Sequence, residues 1–177
     1  FLQDGDSCQT QDNVTVIKPQ PLIPNFAGAD IVTCYSASNR FLIGTPPQAG
    51  YEYTWSPGLF LEANNSSQVY FNSGNFLPVQ NPMTYYLTAR YNGCTWYDTL
   101  QVFILFPDAG KDGCGPRIIG GGNSHINIPA TYQWTAISGS NNIIGPSNTP
   151  TVSVGASTSG MSVYQLKVCY RGVCCTD

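Results

Sequence analysis

Two stretches of the chain alternate strictly between apolar and polar positions. Tyr85, Leu87, Ala89 and Tyr91 interleave with Tyr86, Thr88 and Arg90, and Tyr164, Leu166, Val168 and Tyr170 repeat the pattern. A period of two is that of a strand with one buried face. Asn92-Gly93 is a two-residue turn signal, after which Leu100, Val102 and Ile104 continue as the returning strand of a hairpin. Proline and glycine punctuate the rest, as in Thr45-Pro46-Pro47, Ser56-Pro57-Gly58 and Asn81-Pro82, and no long window holds a helical period. The pattern predicts an all-β chain of short strands.

The chain also repeats itself. A shift of 79 residues superimposes Tyr53-Thr54-Trp55 on Tyr132-Gln133-Trp134, Tyr85–Tyr91 on Tyr164–Tyr170, Gly93 on Gly172 and Asp98 on Asp177. Upstream, Ala27-Gly28-Ala29-Asp30 answers Ala109-Gly110-Lys111-Asp112, and Leu42-Ile43-Gly44 answers Ile118-Ile119-Gly120. A partial third copy, Cys8–Val16, mirrors Cys94–Val102. Short strands with a Tyr-x-Trp strand near the middle of each unit describe tandem Ig-like (PKD-like) β-sandwiches. Trp55 and Trp134 are expected to fill the space between two sheets. Proline gathers at Lys18-Pro19-Gln20-Pro21 and at Phe106-Pro107-Asp108. The predicted organisation is therefore 1–20 as the final hairpin of a preceding repeat plus linker, 21–106 as one repeat, and 107–177 as a second. Linkers this short hold neighbours end to end with limited freedom. Because Asp177 aligns with Asp98, the second repeat is expected to lack its last strand, leaving Tyr164–Tyr170 with an open, aggregation-prone edge. On this reading the chain is an excerpt of a longer protein.

Composition narrows the function classes. Only 10% of the 177 residues are charged and the net charge is −3, which removes the basic footprint that nucleic-acid binding needs. The longest apolar run, Val102–Phe106, is far short of the roughly 18 residues of a spanning helix. His125 is the single histidine, so histidine-dependent catalysis has no second member. Gly120-Gly121-Gly122 lacks the Lys-Ser/Thr of a phosphate loop and reads as an inter-strand loop. Asp98 and Asp177, equivalent in the two repeats, read as hairpin anchors bonded to backbone rather than as catalytic carboxylates. Asp4, Asp6 and Asp12, or Asp108 and Asp112, are the candidates for interdomain calcium, but no D-x-D-x-D-G loop accompanies them. The expectation is no enzyme, no cofactor and no metal.

The succession Ala-Gly-x-Asp, Cys, Tyr-x-Trp-Ser-Pro, Tyr-x-Leu-x-Ala and Gly-Cys-x-x-x-Asp-x-Leu-x-Val resembles the PKD-like or Ig-like repeats of very large Bacteroidota surface proteins. SprB-type gliding-motility adhesins and other cargo of the type IX secretion system carry such units in long arrays. The second repeat departs from the pattern: Thr135-Ala136 follows Trp134 where Ser-Pro is usual, and it holds two additional cysteines. The resemblance implies a secreted, cell-surface β-sandwich array acting as stalk or adhesin, with neighbouring repeats as partners.

Seven cysteines suit an oxidising destination. Cys34 and Cys94 are 60 residues apart, as are Cys114 and Cys174, so the first expectation is one intradomain disulfide per repeat, Cys34–Cys94 and Cys114–Cys174. Cys169–Cys174 with Cys114–Cys175 stays open, and Cys8 would pair within the preceding unit. Tight Cys-x-x-Cys pairs, which a metal site needs, are absent.

Aromatic residues crowd one hairpin. Tyr86, Tyr91, Trp96 and Tyr97 are candidate glycan contacts, through stacking of rings on sugars, and the competing reading places alternate rings in the core. Asn64-Asn65-Ser66-Ser67 contains N-glycosylation sequons, and Asp98-Thr99-Leu100 is similar to the Bacteroidota O-glycosylation sequence. Three functions follow in order: a structural stalk, a glycan-binding adhesin module, or an accessory sandwich of a secreted hydrolase.

Overall fold

The structure is a computed structural model, and it describes residues 12–177 except 17, 19–21, 37–39, 73, 75–80, 122–127 and 158–159. Twelve strands are present among them. The first unit holds β1 (Ile31–Cys34), β2 (Arg40–Ile43), β3 (Glu52–Ser56), β4 (Val69–Asn72), β5 (Met83–Tyr91) and β6 (Cys94–Leu105). The second holds β7 (Arg117–Gly120), β8 (Thr131–Ser138), β9 (Ile143–Ile144), β10 (Thr151–Val154), β11 (Val163–Tyr170) and β12 (Val173–Thr176).

In the first unit the sheet β1-β6-β5-β3 faces the pair β2-β4. Alternation along β5 and β6 points Tyr85, Leu87, Ala89, Leu100, Val102 and Ile104 inward, where they meet Ile43, Val69 and Phe71 of the facing pair. The second unit repeats the plan with β12-β11-β8 against β7-β10-β9, and Trp134, Leu166 and Val168 pack on Val152 and Val154. Both units are Ig-like β-sandwiches.

The repeat is conserved down to single hydrogen bonds. Trp55 and Trp134 are 1% and 3% exposed, and each indole N–H donates to a backbone carbonyl, of Ser66 at 2.9 Å and of Thr149 at 3.0 Å. Gly44 and Gly120 sit against these indoles with φ of 88° and 78°. A Cβ on Gly44 would lie 1.9 Å from the Ser67 carbonyl oxygen, and one on Gly120 would lie 2.4 Å from the Trp134 ring. The two aspartates act alike as well. Asp98 Oδ2 accepts from the Ala27 N–H at 2.8 Å, and Asp177 Oδ2 from the Ala109 N–H at 2.7 Å, which ties the start of each unit to its last hairpin.

One expectation is corrected. The second unit does have a last strand: β12 pairs with Lys167–Tyr170, and Asp177 exchanges backbone hydrogen bonds with Leu166. The left-handed pair Arg171-Gly172 (φ 44° and 83°) turns the chain straight back onto β11, as Asn92-Gly93 (φ 45° and 80°) does between β5 and β6.

Candidate functional site: the joint between the units and an aromatic sheet face

β6 is apolar on both faces near its end. Val102 and Ile104 fill the core of the first unit, while Phe103 and Leu105 point out of the same sheet and are buried all the same. What buries them is the second unit. Phe103, Leu105, Val32 and Cys34 pack with Ile128, Ala130, Tyr170, Val173 and Cys175. The Phe103 and Tyr170 rings lie 5.1 Å apart.

Charge and covalency complete this joint. Arg171 Nη1 donates to Asp30 Oδ2 at 2.9 Å, and its guanidinium lies 4.9 Å from the Phe103 ring centre. Asp30 Oδ1 accepts from the Gln101 N–H at 2.9 Å. Burial pushes the Asp30 carboxyl up. The Arg171 hydrogen bond, the Gln101 N–H and the Arg171 charge together outweigh it, and the net direction is down. Arg171 occupies the turn position held by Asn92 in the first unit, and both are left-handed (φ 44° and 45°). Asn tolerates that conformation and Arg does so at a cost, so the second turn gives up local comfort for the ion pair and the stacking across the joint.

The disulfides differ from the expected pairing. Cys34 is bonded to Cys175, across the joint, with Cα atoms 5.6 Å apart. Cys169 is bonded to its cross-strand neighbour Cys174, and Cys94 and Cys114 carry exposed free thiols. Cys34–Cys94 is ruled out by strand direction. β1 runs parallel to β6 with Cys34 beside Leu105, and Cys94 lies at the other end of β6, about 36 Å away at the strand rise of roughly 3.3 Å per residue. A disulfide needs Cα atoms within about 7 Å. Cys114–Cys174 fails because Cys174 is already held by Cys169. Of the alternative set, Cys169–Cys174 forms and Cys114–Cys175 does not. The equal spacing of 60 was misleading because the structural offset of 79 places Cys94 on Val173 and Trp96 on Cys175.

The four candidate glycan-contact aromatics divide by parity. Tyr86 and Tyr97 project outward, 54% and 75% exposed. Tyr86 opposes Thr99 and Tyr97 opposes Thr88, so the two rings are diagonal neighbours on one sheet face, with Thr54 and Ser56 of β3 beside them. Tyr91 and Trp96 point the other way and close the end of the first core with Tyr51, whose ring lies 5.1 Å from Tyr91 and 5.4 Å from Trp96. An open groove of about 490 Å³ runs along this end, over Arg90–Thr95 and Glu52.

Other candidates carry less. Asp108 accepts from the Gly110 N–H, a local turn. Among the described residues no group of three or more His, Cys, Asp or Glu side chains is placed to hold a metal ion, and no helix is long and apolar enough to cross a membrane. Cys8, His125, Gly122, Asp4, Asp6 and most of 1–20 lie outside the described residues. Sequence reasoning missed the joint, although the unbroken apolar run 102–106 was its signal: a strand apolar on both faces needs a second partner.

No protein-family model matches the sequence, and no curated protein sequence matches it. Solved structures with a similar course of chain include extracellular domains 3–5 of Drosophila OTK, at 9% identity and TM-score 0.40, covering 84% of this chain and 57% of that one. The I67–I69 fragment of the titin I-band is similar at 12% identity and TM-score 0.42, covering 84% and 60%. The N-terminal four Ig domains of Dscam1 isoform 6.9 are similar at 11% identity and TM-score 0.43, covering 88% and 43%. The chain thus spans about half the length of each of these structures.

Proposed function

We propose that the chain is a structural, adhesion-type module of an extracellular surface protein, a braced stalk segment without chemistry of its own. The Cys34–Cys175 bond across the joint carries this reading. Tension entering before Cys34 and leaving after Cys175 passes through the Phe26–Ala27 segment, β1 and that bond, so the chain between the two cysteines, with the whole core of the second unit, lies outside the load path. Disulfides of this kind persist in oxidising compartments, which suits a secreted location. The resemblance to Bacteroidota repeat arrays makes gliding motility or surface attachment, after type IX secretion, the setting.

Single-molecule extension of the whole chain, held at its two ends, tests the reading. The bond withholds the 141-residue separation between its cysteines, about 490 Å of contour at roughly 3.5 Å per residue. That extension should be missing under oxidising conditions and should return after reduction. Full extension without reductant would refute a braced stalk.

A second reading has one observation in its favour, the pairing of Tyr86 and Tyr97 on an exposed face lined with hydroxyls. Such a face suits a surface polysaccharide. Glycan-array binding lost in Tyr86→Ala and Tyr97→Ala would establish it, and absence of binding by the unaltered chain would dismiss it.

A further inference from the structure

Parity along β3 leaves one residue of its outer edge unpaired. β5 and β6 are joined by the two-residue turn Asn92-Gly93, with Tyr91 opposite Cys94. Tyr91, Ala89 and Leu87 therefore turn their backbone groups to β6, and Arg90, Thr88 and Tyr86 turn theirs to β3. Glu52, Thr54 and Ser56 stand opposite these three, so the backbone groups of Tyr53 and Trp55 point away from the sheet. The Trp55 N–H donates to the Asn64 carbonyl at 2.8 Å, and upstream the Tyr51 N–H donates to the Gln48 carbonyl at 3.4 Å. Between these two, the Tyr53 N–H and C=O have no hydrogen bond among the described residues.

That edge borders a groove of about 510 Å³ lined by Pro47, residues 51–54 and residues 65–67, within the range of small-molecule sites. Thr54, Asn65 and Ser66 bring exposed hydroxyl and amide groups, and Pro47 with the half-buried Tyr51 supplies an apolar wall. Glu52 is the one charged residue of the lining. Ser67 is 2% exposed, and its buried hydroxyl has no hydrogen-bond partner among the described residues. Buried hydroxyls are nearly always paired. An unpaired hydroxyl and an unpaired backbone residue beside one groove point to a ligand that supplies the missing partners.

We infer that this groove binds a neutral saccharide unit. Ring hydroxyls both donate and accept, so they can serve the Tyr53 N–H and C=O, the Asn65 amide and the Ser67 hydroxyl together. The C–H face of the ring packs on the Pro47 and Tyr51 wall, and the Glu52 carboxylate turns away anionic sugars. An added peptide strand fits less well, because strand addition needs a ladder of free backbone groups and both flanking N–H groups are already taken. The inference needs neither the braced joint nor the Tyr86–Tyr97 face.

The test is an amide NMR titration of the full isotope-labelled chain. The probes are neutral tetrasaccharides of glucose, of xylose and of N-acetylglucosamine, and an anionic tetrasaccharide of mannuronate. At least one neutral sugar should shift the Tyr53 amide and the Asn65 side-chain amide saturably, and mannuronate should not. Asn65→Ala and Ser67→Ala should each weaken binding about fivefold, the worth of one net hydrogen bond. Ser67→Ala should leave the thermal midpoint unchanged or raised, since the lost hydroxyl has no partner inside the fold. Glu52→Gln should admit mannuronate. No saturable shift at Tyr53 with any of these sugars would overturn the inference. So would a sugar that shifts only the surroundings of Tyr86 and Tyr97, which places the ligand on the other face. Shifts at Tyr53 from an extended peptide of alternating Val and Thr, with none from the sugars, would make this a strand-docking edge and overturn it equally.

Discussion

Removing the bond across the joint should act on the two units unequally. Consider Cys34→Ala with Cys175→Ala, which leaves Cys169–Cys174 in place. When the second unit alone unfolds, the folded first unit still fixes Cys34 and the linker at Phe106, so the bond closes a loop of only about 70 residues; the chain-entropy relation gives about 4 kcal/mol. When both units unfold, the closed loop grows to the full separation of 141 residues, and the same relation gives about 5 kcal/mol. The second unit therefore receives most of the stabilisation and the first only about 0.6 kcal/mol. For units of this size the second midpoint should fall by about 15–30 °C and the first by a few degrees. Scanning calorimetry would show one transition splitting into two. Hydrogen exchange at the Trp134 and Trp55 amides, which donate to Ser147 and Asn64, would assign them. Equal losses in both units, or an unmoved second midpoint, would show that chain closure does not hold the joint.

Gly44→Ala and Gly120→Ala should each cost about 2–5 kcal/mol in their own unit, from left-handed backbone and from crowding of the indole; chemical denaturation that finds either neutral would refute the Gly–Trp packing. Asn81, 2% exposed, exchanges two hydrogen bonds with the Ile104 backbone, at 2.6 and 3.0 Å, so Asn81→Leu should cost about 2–4 kcal/mol by stranding both groups. Asp30 has a folded pKa below its unfolded value. Its contribution to the joint is therefore present above about pH 4 and lost as pH falls through the lower folded value. Asp30→Asn should remove this acid sensitivity of joint opening, followed by hydrogen exchange of β12, without changing the alkaline limb.

What the sequence shows and what it hides follow one physical rule. Periodicity reports which face of a strand is buried, and the Trp55 and Trp134 environments, the hairpins and the aspartate anchors are all set by contacts inside one unit. Each could be read from a single window or from its repeat. The glycan-contact candidates were legible only in part, because Tyr86, Tyr91, Trp96 and Tyr97 form a cluster in the sequence while parity sends them to two different faces. The apolar run 102–106 says that Phe103 and Leu105 need a cover but not what supplies it, since the covering residues lie between 23 and 72 positions further on. The short β12 was missed for the opposite reason. Its pairing needs only a turn and four residues, and the comparison with the longer β6 made it look absent.

The cysteines show why spacing cannot replace direction. A residue count carries no sign, whereas a disulfide requires two side chains at one end of a strand pair and on facing sides. Parallel pairing of β1 with the far end of β6 puts Cys34 at the boundary of its unit, facing away from its own core. From there the nearest inward-facing hairpin belongs to the next unit, and the residue opposite the core position Val168 on that hairpin is Cys175. Cys94 lies at the opposite end of β6 from Leu105, and Cys114 in the bend before β7, so neither reaches Cys34, and both thiols are exposed and free.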